Sequence, residues 1–148
     1  MRVIFFFVLV VILAACNSSQ PEANTEEQVE KLTVSDSLLK EVLKGHDVAM
    51  PKMFKLERLQ KELTTKIDSL KKASGSKSDI ALYENLVKKL SSADAEMHSW
   101  MEGFSYDTLK DNEAGRLLYL NGQLESVNKM KENVLGSLAF ADSVLAIK

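Results

Sequence analysis

The sequence predicts an all-α domain folded as an antiparallel three-helix bundle in up-down-up order. Three long runs of apolar residues at intervals of three and four positions indicate the helices, and no segment of any length alternates with a period of two. Polar stretches rich in turn-forming residues, 73–78 and 105–112, separate the runs. Because both connections are short, consecutive helices should pack as antiparallel neighbours.

The first apolar run extends from Leu39 to Leu70, and Thr33 or Ser35 is placed to cap its start. Pro51 lies inside this run; it lacks a backbone donor and disfavours a helical residue before it, so the helix should be kinked or split there. A kink is favoured, because the apolar stripe continues in phase. At 1.5 Å per residue the first helix would measure about 57 Å and the second about 39 Å. The first helix should therefore extend past the second over the residues before Pro51, unless those residues form a short fourth helix that folds back.

The second apolar run extends from Ile80 to Phe104, and the third from Ala114 to Leu145. Each follows polar residues of the types that cap helices. The candidate caps are Ser76, Ser78 and Asp79 for the second helix, and Asp111 and Asn112 for the third. Together the three runs define a helical domain over residues 34–148.

The amino terminus has the layout of a lipoprotein precursor. Arg2 supplies one positive charge, an apolar stretch follows over residues 3–13, and the sequence Leu13-Ala14-Ala15-Cys16 has the spacing of a lipobox. The apolar stretch is too short to span a bilayer, which needs about 20 such residues. By resemblance to lipoprotein precursors, residues 1–15 are expected to be removed as a signal peptide and Cys16 to receive lipid on its sulfur and its new amino group.

Residues 16–33 are predicted to form a lipidated polar tether. The segment is acidic, lacks aromatic residues and contains Pro21, so it cannot bury enough apolar surface to order itself. About 15 residues behaving as a coil would hold the domain roughly 20 Å from the lipid.

The charge and cysteine content exclude several functions. The chain has 19 basic and 21 acidic residues, and removal of Arg2 with the signal peptide makes the mature chain slightly more acidic. A strongly basic patch is missing, so nucleic acid is not an expected partner. Cys16 is the only cysteine, and its acylation leaves no thiol for a disulfide, a nucleophile or a thiolate metal site.

Unusual residue types collect at one end of the bundle when the first hairpin is folded about its turn near residue 75. They are His46, Asp47, Met50, Met53, Met97, Trp100, Met101 and Phe104. One interpretation is a metal site, in which the histidine and the four methionines supply the soft ligands that suit Cu(I). The favoured interpretation is structural: methionines fill gaps around Trp100, as methionine stripes at helical spacing usually do. No cofactor is then required.

Asp47, Trp100 and Phe104 complete this end of the bundle as a candidate binding layer. A histidine beside a carboxylate suggests a general base, but residues i and i+1 of a helix do not face each other, so Asp47 is not expected to orient His46. The serines fall in caps and on solvated faces, and no nucleophile or oxyanion-binding nest is apparent. The sequence therefore does not predict an enzyme.

Two short motifs, combined with the lipobox and the tether, resemble a family of small helical lipoproteins of Bacteroidota whose members often carry the label "viral A-type inclusion protein". The motifs are His46-Asp47-x2-Met50-Pro51-Lys52-Met53 and Ala93-x3-Met97-x2-Trp100-Met101-x2-Phe104. The likeness spans almost the whole chain, although Ser99 stands where members often have an acidic residue. The resemblance implies a helical fold and an envelope location, and it carries no activity.

These observations predict a lipid-anchored protein of the bacterial outer membrane that acts as a structural or protein-interaction module. Its contact with the membrane would be the lipid on Cys16, and its other partner would be an envelope protein. Binding of Cu(I) by the His/Met layer is the alternative. The sequence leaves open the oligomeric state and whether the domain faces the periplasm or the exterior. A carrier of apolar ligands is not favoured, because such a small domain has little room for a cavity.

Overall fold

Four α-helices and one turn of 3-10 helix form the structure, a computed structural model that describes residues 33–147. The helices are α1 (Val34–Ala49), α2 (Met53–Lys72), α3 (Lys77–Gly103) and α4 (Glu113–Ile147), with the 3-10 turn at Met50–Lys52. The described residues contain no strand. Because α1 and α2 follow one another in a single rod, the fold is the predicted all-α three-helix bundle.

The rod continues through Pro51 without reversing direction. Ala49, Met50, Lys52 and Met53 all keep right-handed helical dihedral angles, and the missing proline donor is accommodated by the tighter 3-10 hydrogen bonds. The expected interruption at Pro51 is confirmed as a single 3-10 turn that splits the first helix into α1 and α2, and within the described residues no fourth helix folds back.

Residues further along the rod contact residues further along α4. Ser35 meets Glu113, a Cβ placed on Gly45 would touch Val127, and Lys55 pairs with Asp142 at 2.7 Å. The rod and α4 therefore run parallel, and α3 runs antiparallel to both. The structure has the predicted up-down-up order.

The overhang predicted for the first helix also occurs, and α4 covers it. Helix α4 has 35 residues, so it is about 52 Å long. Helix α1 packs mainly against α4, whereas α2 packs mainly against α3. Helix α4 therefore holds the α1 half of the rod, and α3 holds the α2 half.

The helix starts follow the capping residues that the sequence offered. The Thr33 hydroxyl accepts the Asp36 N–H and the Asp36 carboxylate accepts the Thr33 N–H, which forms a capping box at α1. Ser76 accepts the Asp79 N–H at the start of α3.

Asn112 accepts the Gly115 N–H at 3.0 Å at the start of α4. The core between the helices is built from the periodic apolar residues, with Val42, Leu56, Leu86, Leu90, Val127 and Val134 fully buried.

None of the described helices is long and apolar enough to cross a bilayer. The signal peptide, Cys16 and nearly all of the tether fall outside the described residues.

Candidate functional site

Four rings stack in sequence where α1, α3 and α4 meet. Trp100 is the centre of this aromatic stack: its ring centroid lies 5.6 Å from that of His46 and 4.9 Å from that of Phe104. Phe104 in turn stacks on Tyr119 at 6.4 Å. Only 8% of the Trp100 surface is exposed, because helix spacing in α3 places it on the core stripe with Met97 and Ala93. The structure thus brings His46, Trp100 and Phe104 of the predicted layer together with Tyr119 of α4.

The Tyr119 hydroxyl holds the end of α3 in place. Its oxygen accepts the backbone N–H of Ser105 at 2.7 Å, just after the helix ends at Gly103. A buried or half-buried tyrosine usually uses its hydroxyl in this way. The stack is therefore tied to the loop that connects α3 to α4.

The prediction that Asp47 would not orient His46 is wrong. The His46 Nδ1 and Asp47 Oδ1 atoms lie 3.0 Å apart, within hydrogen-bond distance. The two Cβ atoms point in different directions, but both side chains reach the solvent edge of α1, where the carboxylate can turn sideways toward the ring. Stacking on Trp100 fixes the imidazole plane, and Asp47 engages its Nδ1.

The methionines of the predicted metal layer are divided between core and solvent. Met53 and Met97 are buried, with 5% and 0% of their surface exposed, and Met101 is half-buried. Met50 is 43% exposed, because the 3-10 turn at Pro51 places it on the outer side of the rod.

No three histidine, aspartate or glutamate side chains within residues 33–147 converge to hold a metal ion. Thioethers would have to provide most ligands of a Cu(I) site, so this interpretation stays a prediction.

An open groove of about 450 Å³ runs between α3 and α4 beside the aromatic stack. We call it the Trp100 groove. It is lined by Glu96, Ser99, Trp100, Gly103, Gln123, Ser126, Lys129 and Met130. Four of the eight lie within eight residues of α3, and the other four lie within eight residues of α4, at the one-, three- and four-residue steps that keep side chains on one side of a helix.

Polar groups of the Trp100 groove differ in how well they are satisfied. Glu96 is held from below by the side-chain amide of Asn133, which donates to its Oε2. Across the groove, Lys129 forms no ion pair within 4.0 Å in the described part of the chain, with Glu96 or with any other carboxylate. The Trp100 Nε1–H is buried and has no hydrogen-bond partner there. An unmade hydrogen bond at a buried donor is uncommon in folded proteins.

A second polar cluster, at the free end of the α1/α4 pair, was missed by the sequence analysis. Ser35 was expected in a cap or on a solvated face, but it is 98% buried because α4 covers the overhang. Its hydroxyl donates to Glu113 Oε2 at 2.8 Å, and its backbone N–H donates to Oε1 at 3.3 Å. Arg116 lies beside this pair with 5% of its surface exposed, and its Nη1 has no partner among the described residues.

One signal for this cluster was present in the sequence. Arg116 lies four residues before Leu120, on the stripe that later buries Val127 and Val134. A charged residue at a core position of a helix points to a buried polar contact. The Thr33 hydroxyl, which donates to Asp36 at 2.7 Å, lowers the pKa of Asp36, and the positive charge of Arg116 adds to this effect.

His98 lies outside the aromatic stack, on the solvated side of α3. Its Nδ1 is 3.0 Å from the Asp94 carbonyl oxygen and 3.6 Å from the Asp94 carboxylate. The backbone hydrogen bond and the nearby negative charge raise the pKa of His98 above its ordinary value of 6.5.

No protein-family model, curated protein or solved structure matches this chain. The resemblance to the Bacteroidota lipoproteins therefore stays a prediction.

Proposed function

We propose that this chain is a lipid-anchored protein of the bacterial outer membrane whose helical bundle acts as a protein-interaction module. One observation carries the proposal: the lipobox ending at Cys16 is followed by a polar segment that leads to Thr33, the N-cap of the bundle. This order is typical of a folded domain displayed on a lipid anchor.

The surroundings of the two histidines support a binding role over a catalytic one. The His46 ring is hydrogen-bonded to the Asp47 carboxylate, and the His98 ring to the Asp94 backbone carbonyl. Within residues 33–147, neither histidine is hydrogen-bonded to a hydroxyl group that it could activate. The bundle instead offers an open groove with both polar and apolar walls. Such a surface suits recognition of another molecule.

Metabolic labelling with a palmitate analogue tests the anchor. The wild-type chain should carry the label and fractionate with the outer membrane, whereas Cys16→Ala should be unlabelled and released from that fraction. Ser19→Ala is the matched control, because it changes the same segment and leaves the lipobox intact. Equal labelling of wild type and Cys16→Ala would refute lipidation at this residue.

Crosslinking in cells tests the interaction module. The lipidated wild-type protein should form one discrete adduct with another envelope protein. Adducts that contain only this chain would contradict the proposed module and indicate self-association instead.

A further inference from the structure

We propose that the Trp100 groove is a binding site for a small zwitterionic ligand that carries an ammonium and a carboxylate, as free amino acids and short peptides do. The proposal concerns the bundle alone and does not depend on the lipid anchor. It rests on the charges that line the groove, on the unpaired buried donor of Trp100, which is one of its lining residues, and on its size.

The two charged walls provide opposite signs without neutralising each other. Glu96 projects from α3 and Lys129 from α4, and no ion pair joins them. Asn133 fixes the Glu96 carboxylate by donating to Oε2, so this acceptor is ordered before any ligand arrives. A ligand ammonium suits Glu96 and a ligand carboxylate suits Lys129, which together select a zwitterion.

Trp100 supplies a third recognition element and excludes one ligand class. His46 and Phe104 already stack on the indole, so little ring face remains for a sugar to stack on. What the side chain still lacks is an acceptor for its Nε1–H. A ligand oxygen would satisfy this donor once the side chains that bury it move aside.

The remaining walls fit a small polar molecule. Ser99, Ser126 and Gln123 offer hydroxyl and amide groups that both donate and accept hydrogen bonds. A volume of about 450 Å³ lies within the range of small-molecule sites. Gly103 leaves one end open, because a Cβ at this position would meet no atom within 4 Å.

The single tryptophan of the chain allows a direct test. In the full lipidated protein, labelled with ¹⁵N and held in detergent micelles, one indole N–H resonance reports on Trp100. Titration with L-glutamine or with triglycine should shift this resonance saturably, with a Kd of about 1 mM or lower. Saturation by glutamine alone identifies amino acids as the ligand class, and saturation by triglycine identifies short peptides.

Capped ligands and matched variants separate the site from nonspecific effects. N-acetylated, amidated forms of both probes should not saturate, because they lack both charges. Gly103→Met should fill the groove and weaken binding at least about tenfold, whereas Gly122→Met, at another helical glycine with open space, should bind as wild type. Glu96→Gln should also weaken binding by about tenfold.

Three results would overturn the proposal: no saturable shift with either free probe, equal binding of the capped probes, or equal loss in both methionine variants. Thermal unfolding of each variant shows whether the bundle is intact. The lipid-labelling result at Cys16 is unaffected by any of these outcomes.

Discussion

Replacing Gly45 by alanine should destabilise the bundle, although alanine favours helices. Gly45 is buried in α1 where this helix passes closest to α4. A Cβ at Gly45 would lie 2.9 Å from Val127 Cγ1 and 3.1 Å from Val127 Cγ2. Carbon atoms in contact prefer about 3.5–4.0 Å. Val127 is fully buried and its β-branched side chain is stiff, so it cannot rotate away.

Two opposing effects set the magnitude of this change. Replacing glycine by alanine inside a helix gains about 1 kcal/mol, and overpacking a core costs about 1–3 kcal/mol. The clash involves two methyl groups of a rigid side chain, so the larger cost should dominate. We expect a net loss of about 1 kcal/mol in the free energy of unfolding, which lowers Tm by roughly 4–6 °C for a domain of this size.

Urea and thermal unfolding of four proteins measure the effect: wild type, Gly45→Ala, Val127→Ala and the double variant. The added methyl fills part of the space that Val127→Ala leaves, so the double variant should be more stable than the sum of the two changes predicts, by about 0.5 kcal/mol or more. Gly122→Ala is the control, since a Cβ there meets nothing within 4 Å. It should gain about 0.5–1 kcal/mol. If Gly45→Ala gains as much as the control, α1 and α4 are not in close contact at this level.

Three further changes test the polar and aromatic parts of the bundle, and a fourth experiment tests the metal alternative. Trp100→Ala should lower the free energy of unfolding by about 3–5 kcal/mol in urea titrations; a negligible change would mean that the indole is exposed. Glu113→Ala should cost about 1 kcal/mol, because the buried Ser35 hydroxyl loses its acceptor Glu113 Oε2 and keeps only the Thr33 hydroxyl within hydrogen-bond distance, and adding Ser35→Ala should recover part of this loss. NMR titration of His98 should give a pKa above 6.5 that falls in Asp94→Asn. Because this pKa is raised on folding, its contribution to stability is complete below the unfolded-state value and disappears as pH rises through the folded-state value. Anaerobic titration with Cu(I) should show no uptake against a competing chelator, since Met50 is exposed while Met53 and Met97 are in the core; stoichiometric uptake that Met101→Leu abolishes would instead support the metal site.

The fold was predictable because its main determinants are local. Apolar spacing identified the three runs, and short polar side chains before each run identified the caps, as Thr33 and Ser76 show. Pro51 predicted a kink from its covalent structure alone, and the phase of the apolar stripe across it predicted that the rod would continue. Each of these inferences depends on residues within about two helical turns.

The candidate site was only partly predictable, because its geometry depends on how far one helix slides along another. Reflection of the sequence about the hairpin turn placed His46 and Trp100 at the same end, and their rings do stack. The same reflection placed Met50 in that layer, but it could not describe the 3-10 turn that directs Met50 outward. The Trp100 groove depends on the register between α3 and α4, for which periodicity within one helix carries no information.

The two polar clusters have a common origin in the unequal lengths of the helices. Helix α3 ends at Gly103, and the amino-terminal part of α1 extends past this end. That part of α1 has only α4 and the connecting loop to cover it. Two helices cannot surround an apolar core as three can. Polar residues are therefore buried between α1 and α4 at this end, Ser35 on α1 and Arg116 on α4. At the same level α3 ends at Gly103, whose missing side chain leaves one end of the Trp100 groove open. The overhang that appeared in the sequence as a mismatch of helix lengths thus explains both why Ser35 and Arg116 are buried and why one end of the Trp100 groove is accessible.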